Sequence, residues 1–250
     1  MGTITTSNIF NGVAVAGNKI TGMAKGGNIF YRHDGSYAPF ATPILDLDFQ
    51  NNFIDKSPSA LNMVQGQGLP TFELSGRKVD EYCANFNGSQ SIKTTTNLPL
   101  NSDKVCVKFW IKTTQASVGI IYEMSPNFNY ANAFISYVDG IIINADSIVQ
   151  SYNVVSSQIA INDNSWKHVI CIIDRSFGVN QNKIYVNGVL SFVQNTGLYS
   201  NNNGNFVNNI FYIGQRAGTS LGFNGSLAKY QVFNQAPTDA QAMEMYLNDL

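Results

Sequence analysis

The residues best suited to chemistry at a surface are aromatic and amide side chains. Phe128, Asn129 and Tyr130 stand together in the segment SPNFNYAN at positions 125–132. Aromatic faces stack on sugar rings, and an asparagine amide offers both donors and an acceptor. Tyr199, close to the asparagines at 201–203, together with Arg216 and Phe223, extends this candidate ligand-binding set. Residues for covalent chemistry are badly spaced for it. His168 alternates inside an apolar run and reads as a packed sheet histidine, and nothing orients a base toward a nucleophile. Glu123 lies in a strand-like run without an acidic neighbour, whereas glycosidic hydrolysis needs two carboxylates at a set separation. Gly26-Gly27 lacks the lysine and the strand-to-helix setting of a phosphate loop. No catalytic residue is assigned, and the expectation is a protein that is not an enzyme.

Metal chemistry is also poorly served. The three cysteines, Cys83, Cys106 and Cys171, are widely spaced, with no C-x-x-C pair, and the two histidines are far apart, so no metal site is expected. Cys106 and Cys171 sit in apolar strand patterns and read as reduced, buried, small hydrophobes. A Cys83–Cys106 bridge stays open as the alternative.

Composition narrows the partners. Only 12% of the 250 residues are charged, about half the usual share, and the net charge is −1. Asparagine, with 31 copies, supplies much of the polar surface. A neutral, aromatic-bearing surface suits uncharged partners such as sugars or protein subunits. It does not suit nucleic acid, which needs clustered Lys and Arg. No apolar run approaches a membrane span, so membrane insertion is not expected. The N-terminal residues show no apolar core of the kind a secretory leader needs.

Positioning falls to strands. Residues 166–193, WKHVICIIDRSFGVNQNKIYVNGVLSFV, read as strand, loop, strand, tight turn, strand. Apolar residues on both faces of 166–173 mark a strand covered on both sides. Asn187-Gly188 is a type I′ hairpin signal, because both central residues need positive φ. Val105, Val107, Phe109 and Ile111 share one face of another strand, with Lys108 and Lys112 opposite. Asn87-Gly88 and Asp139-Gly140 are further turns. Trp110 and Trp166 read as core or sheet-face residues. Roughly a dozen short strands at turn spacing predict an all-β, two-sheet antiparallel sandwich. Thr238 can cap a short C-terminal helix carrying Ala242, Met245, Tyr246 and Leu250. Residues 1–43 are glycine-rich, lack a helical period and read as an extended N-terminal arm. The folded domain is expected over 44–250.

Four motifs in order carry a resemblance: ANFNGSQSI at 84–92, VCVKFWIKT at 105–113, WKHVICIIDR with KIYVNGVL at 166–190, and IFYIGQR followed by FNGSLAKYQVFNQAPTDAQAMEMYL at 210–247. The pattern resembles the laminin-G-like, concanavalin A-like lectin/glucanase superfamily over about residues 44–250. The resemblance implies a jelly-roll of two curved sheets with a binding face and binding loop ends. It also implies a carboxylate pair in enzymatic relatives and a calcium-ligating acid after G-x-[IL] in many others. Here Gly225-Ser226-Leu227 is followed by Ala228, so bound calcium is disfavoured and no cofactor is expected.

The functional expectation is a non-catalytic structural and recognition protein. Its domain would bind a glycan or host-surface receptor, and its arm would dock on other virion or scaffold subunits. A phage virion component, such as a head or tail decoration or a fibre, fits this description, and homo-oligomerisation is left open. The alternative is a secreted or cell-surface carbohydrate-binding module. A glycoside hydrolase acting through Glu123 is the third reading.

Overall fold

The computed structural model describes residues 12–16, 19–25, 28–32, 40–125, 132–148, 151–176, 182–193, 204–217 and 219–250. The chain divides into two compact units, Thr42–Ala236 on one hand and Met1–Ala41 with Pro237–Leu250 on the other.

In the smaller unit, β1 (Gly12–Ala16), β2 (Lys19–Lys25) and β3 (Asn28–Arg32) form a three-stranded antiparallel sheet. Short β pieces between glycines are thus enough for a meander, which the missing helical period leaves room for. A C-terminal helix over Asp239–Asp249 belongs to the same unit. Thr238 starts it with a reciprocal capping box: the Gln241 backbone N–H donates to the Thr238 hydroxyl, and the Gln241 side chain accepts from the Thr238 N–H.

The larger unit is an all-β sandwich. Its strands are β4 (Leu45–Leu47), β5 (Met63–Gln65), β6 (Thr71–Leu74), β7 (Tyr82–Asn87), β8 (Ile92–Thr94), β9 (Lys104–Lys112) and β10 (Gly119–Glu123). They continue with β11 (Ala133–Val138), β12 (Ile142–Ile148), β13 (Ser151–Ser156), β14 (Lys167–Asp174) and β15 (Asn182–Val186). The last are β16 (Val189–Val193), β17 (Tyr212–Ile213) and β18 (Asn224–Phe233). One sheet runs β13-β12-β11-β10-β17-β8-β5, and the other β16-β15-β14-β9-β18-β7-β6, with β4 also on β18; every pairing between neighbouring strands is antiparallel.

The stretch 166–193 forms three consecutive antiparallel neighbours, β14, β15 and β16. Asn187 (φ +51°) and Gly188 (φ +75°) make their turn with both residues left-handed, as the dipeptide predicts. By contrast, Asn87-Gly88 does not close a hairpin between sheet neighbours. It leads from β7 in one sheet to β8 in the other.

The core lies between the sheets. Val105, Val107, Phe109 and Ile111 face it, with Leu227, Tyr230 and Val232 of β18 and Phe134, Phe211 and Ile213 opposite. Phe109 stacks on Tyr230 at 5.5 Å between ring centroids. On the other face of β9, Cys106, Lys108 and Trp110 are buried as well, so that strand is covered on both sides. All three cysteines are buried and free.

A buried ion pair joins the two sheets. Arg175, at the end of β14, donates through Nε to Asp146 Oδ2 on β12 at 2.9 Å, and both side chains have no exposed surface. Asn182 Nδ2 donates to the other Asp146 oxygen at 3.2 Å, and Arg175 also donates to the Ser147 carbonyl at 3.1 Å. The guanidinium lies 3.7 Å from the centre of the Phe206 ring.

Candidate functional site

The seven-stranded sheet has one face on the core and one turned away from it. Register places Val64, Lys93, Tyr212, Glu123, Ile135, Ala145 and Val154 side by side across strands β5, β8, β17, β10, β11, β12 and β13. Directly paired residues share a face. Ile135 and Ala145 belong, with Ile120 and Ala133, to an apolar cluster separate from the main core, so this row lies on the outer face. The half of the row on β11 and β12 is buried, while Tyr212 and Lys93 are half-buried and Val64 is exposed. The outer face is therefore open along β17, β8 and β5.

Glu123 organises the edge of this open half. It is completely buried, yet two hydrogen-bond donors and a nearby guanidinium converge on it. Ser125 Oγ donates to Oε1 at 3.2 Å, Ala217 N–H donates to Oε2 at 3.0 Å, and Arg216 Nε lies 4.0 Å from Oε1. A buried carboxylate is tolerated where donors satisfy it in this way. The effect is to pin the segment after β17 onto β10.

That segment, 214–223, is held at many points. The Ile120 N–H donates to Leu221 O at 2.7 Å, Gly214 N–H to Ile121 O at 3.0 Å, and Gly88 N–H to Phe223 O at 2.9 Å. Gln115 Nε2 donates to Gly222 O at 3.2 Å. A tight turn closes on itself through Arg216 N–H to Ser220 O at 2.8 Å. Ala217 (φ +45°) and Leu221 (φ +51°) hold left-handed conformations that are costly for residues with a Cβ. A Cβ at Gly222 would lie 1.7 Å from the Gly88 carbonyl oxygen, so only glycine allows this approach. The loop is preorganised, and it presents Arg216 with 34% of its side chain exposed. Beside it, burial and the Glu123 charge push the Tyr212 phenol above its ordinary pKa. Burial, then the charge of Asp139, raises Tyr137 further along the face.

Of the residues that the sequence marks for binding, Arg216 is in this constellation. Phe223 is not available to a ligand. It is fully buried in the core, with its ring 5.9 Å from that of Phe86 and its backbone held between Gly214 and Gly88 just ahead of β18. Phe128, Asn129, Tyr130 and Tyr199 lie outside the described residues. Trp110 is buried beneath the Arg77 guanidinium, 4.1 Å from the ring centre, and Trp166 donates through Nε1 to Ser75 O at 2.9 Å. His168 is buried beside Trp110, with ring centroids 5.1 Å apart. Tyr212, Lys93 and Tyr137 escape a reading by motif. Alternation in FYI, with Phe211 inward and Tyr212 outward, is the one local signal for Tyr212. Among the described residues no group of three or more His, Cys, Asp or Glu side chains is placed to hold a metal ion.

Sandwich, strand order and motifs converge with comparison to known proteins. The family model described as the concanavalin A-like lectin/glucanases superfamily matches residues 86–243. The chain belongs to that superfamily. Its fold, two antiparallel sheets in a jelly-roll sandwich, is shared with solved lectin-like domains. The receptor-binding domain of botulinum neurotoxin C/D mosaic serotype superposes with a TM-score of 0.60 at 15% identity, covering 83% of this chain and 51% of that one. A structure titled for the dependence of botulinum neurotoxin type C cell entry on two ganglioside molecules gives a TM-score of 0.62 at 13% identity, with 83% and 51% coverage. A native heptameric SAP-like pentraxin from Limulus polyphemus gives 0.53 at 21% identity, covering 65% of this chain and 80% of that one. The chain thus spans about half the length of the neurotoxin domains it matches. No curated protein sequence matches it.

Proposed function

We propose that the protein is a non-catalytic recognition module that binds a glycan, free or on a receptor, through the open outer face of its seven-stranded sheet. The observation that carries this reading is Tyr212, half-buried on the sheet between Lys93 and the Glu123-anchored Arg216 loop. An aromatic ring on a rigid sheet, flanked by hydrogen-bonding tips, is the arrangement that stacks and orients a sugar ring. The named ganglioside dependence of one structural neighbour supports the reading without extending to this chain. Glu123 has no exposed surface and so presents no oxygen to a glycosidic bond, which argues against a hydrolytic role.

The finer reading places the module on an assembly, as a decoration or fibre subunit of a phage virion facing host-surface glycans. Its support is the separate small unit of β1–β3 and the C-terminal helix, a second body available for docking, and the low surface charge. Immunogold labelling of purified virions, together with mass spectrometry of their proteins, tests this placement. Absence from virions, with an export signal in the native gene, would favour the secreted or cell-surface module instead.

The binding reading is tested by a glycan array followed by titration calorimetry on the intact chain. Tyr212→Ala is expected to reduce affinity for any hit by at least about tenfold, as stacking contacts of this kind do. A hit indifferent to both Tyr212→Ala and Arg216→Gln would move the site elsewhere and overturn the reading.

A further inference from the structure

We infer that the ligand of this face is an acidic sugar, whose anionic group is taken by Arg216 and Lys93 while its ring lies on Tyr212; the inference rests on the glycan-binding reading above. The starting point is how this chain treats its cations. Lys56, Arg77, Lys104, Lys167 and Arg175 each pair with a carboxylate, on Asp48, Glu81, Asp174, Asp163 and Asp146 respectively. In a protein with so few charges, these five cations are thus answered internally.

Lys93 departs from that pattern. Its ammonium has no ion-pair or hydrogen-bond partner among the described residues. Arg216 departs from it in part. Among the described residues its one ion-pair partner is Glu123 at 4.0 Å, beyond hydrogen-bond reach, and the guanidinium makes no side-chain hydrogen bond to any of them. The register brings the two cations to one place. Lys93 pairs directly with Tyr212, and Tyr212 pairs directly with Glu123, which in turn faces Arg216. Lys112 and Lys229, also outside any ion pair among the described residues, stand on the other sheet.

The donor balance then decides between ligand classes. A neutral sugar offers hydroxyls and is held best by mixed donors and acceptors. Lysine and arginine tips are donors only. Glu123 is an acceptor, but it is buried and already takes hydrogen bonds from Ser125 and Ala217. Lys93, Arg216 and Glu123 sum to one positive charge on a face whose accessible charged tips are both cationic. A carboxylate, as in a uronic or sialic acid, supplies the missing acceptors, and arginine matches its planar geometry. Asp139 is exposed too, but it acts on Tyr137 beyond the open half.

The experiment measures binding of the intact chain to matched pairs, lactose against 3′-sialyllactose and a glucose oligomer against its glucuronate counterpart, at low and high salt. The expected result is a preference for the acidic member of at least about tenfold that shrinks as salt rises. Lys93→Gln and Arg216→Gln should each erase most of that preference with an unchanged melting temperature, and Lys112→Gln should leave it intact. Equal affinity for neutral and acidic partners, lost on Tyr212→Ala, would overturn the acidic-sugar inference while leaving the glycan reading standing. Binding to no sugar of either kind would overturn the glycan reading itself.

Discussion

The Arg175–Asp146 pair should be the most costly single contact of the sandwich to break. Both side chains are fully buried, and Asp146 bridges the sheets by accepting from Arg175 Nε at 2.9 Å and from Asn182 Nδ2 at 3.2 Å. Asp146→Ala leaves a guanidinium without its counter-charge in a dry site, beside an Asn182 amide that keeps only its bond to the Asn153 carbonyl. Removing one partner of a buried pair typically costs about 3–5 kcal/mol, most of it the penalty on the charge left behind. For a unit of this size each kcal/mol lowers the melting temperature by about 2–4 °C, so a fall of roughly 6–20 °C is expected. The double replacement Arg175→Met with Asp146→Leu removes both charges and restores apolar volume. It should return to within about 1–2 kcal/mol of the parent. Urea melts followed by tryptophan fluorescence and by circular dichroism give both numbers, and coincidence of the two probes checks that the transition is two-state. If Asp146→Ala cost less than about 1 kcal/mol, or the double replacement were as damaging as the single, water would have to reach the site, and the account of a sealed bridge would be refuted.

Four further outcomes follow from local geometry. Gly222→Ala places a methyl group 1.7 Å from the Gly88 carbonyl oxygen, so it should destabilise the unit by several kcal/mol, about 3 or more, in the same melts. Hydrogen bonds from Lys167, then from Ser165, depress the Asp163 carboxyl to about 2. Its contribution is present above the unfolded value near 4 and is lost as pH falls through about 2; NMR titration should show this, and Lys167→Met should move the midpoint back upward. Burial pushes the Cys83 thiol up to about 11 and Cys171 to about 12, and raises Cys106 further, so iodoacetamide at pH 8 should label none of the three in the native protein and all three in denaturant, read by mass spectrometry. Thr238→Ala removes the capping box and should cost the C-terminal helix about 1 kcal/mol, seen as faster amide exchange in its first turn.

The parts of the fold visible in the sequence are those whose signals are local. Residues 166–193 specify three strands and a type I′ turn, because apolar runs, a polar loop and Asn-Gly all lie within a single window. The same holds for 105–112, where alternation names the four core-facing side chains. Thr238 announces its helix through a hydroxyl three residues before Gln241. Glycine-rich residues 12–32 carry no comparable period, and their three short strands become legible only once paired with one another. The Asn87-Gly88 turn shows the limit of a local rule. The dipeptide specifies a bend, and whether the bend closes a hairpin or changes sheets depends on partners far along the chain.

The binding face is illegible for the same reason in stronger form. Its row is assembled from positions 64, 93, 212 and 123, on strands of three, three, two and five residues. Strands so short display little alternation of their own, so nothing in NMVQG, SIKT or FYIG distinguishes an outward residue that binds from one that is merely solvated. Glu123 misleads further. A lone glutamate in an apolar run reads as either a catalytic remnant or a surface residue, yet here it is a buried anchor whose work is to fix Ala217 and Arg216. Its effect on a ligand therefore passes through the loop. Glu123→Gln keeps an oxygen for the Ala217 N–H and should spare most of the Arg216 placement, whereas Glu123→Ala should weaken ligand binding as much as Arg216→Gln does. If the two Glu123 variants bound equally well, the anchor would be unnecessary, and the strained turn at Ala217 and Leu221 would have to be held by its backbone hydrogen bonds alone.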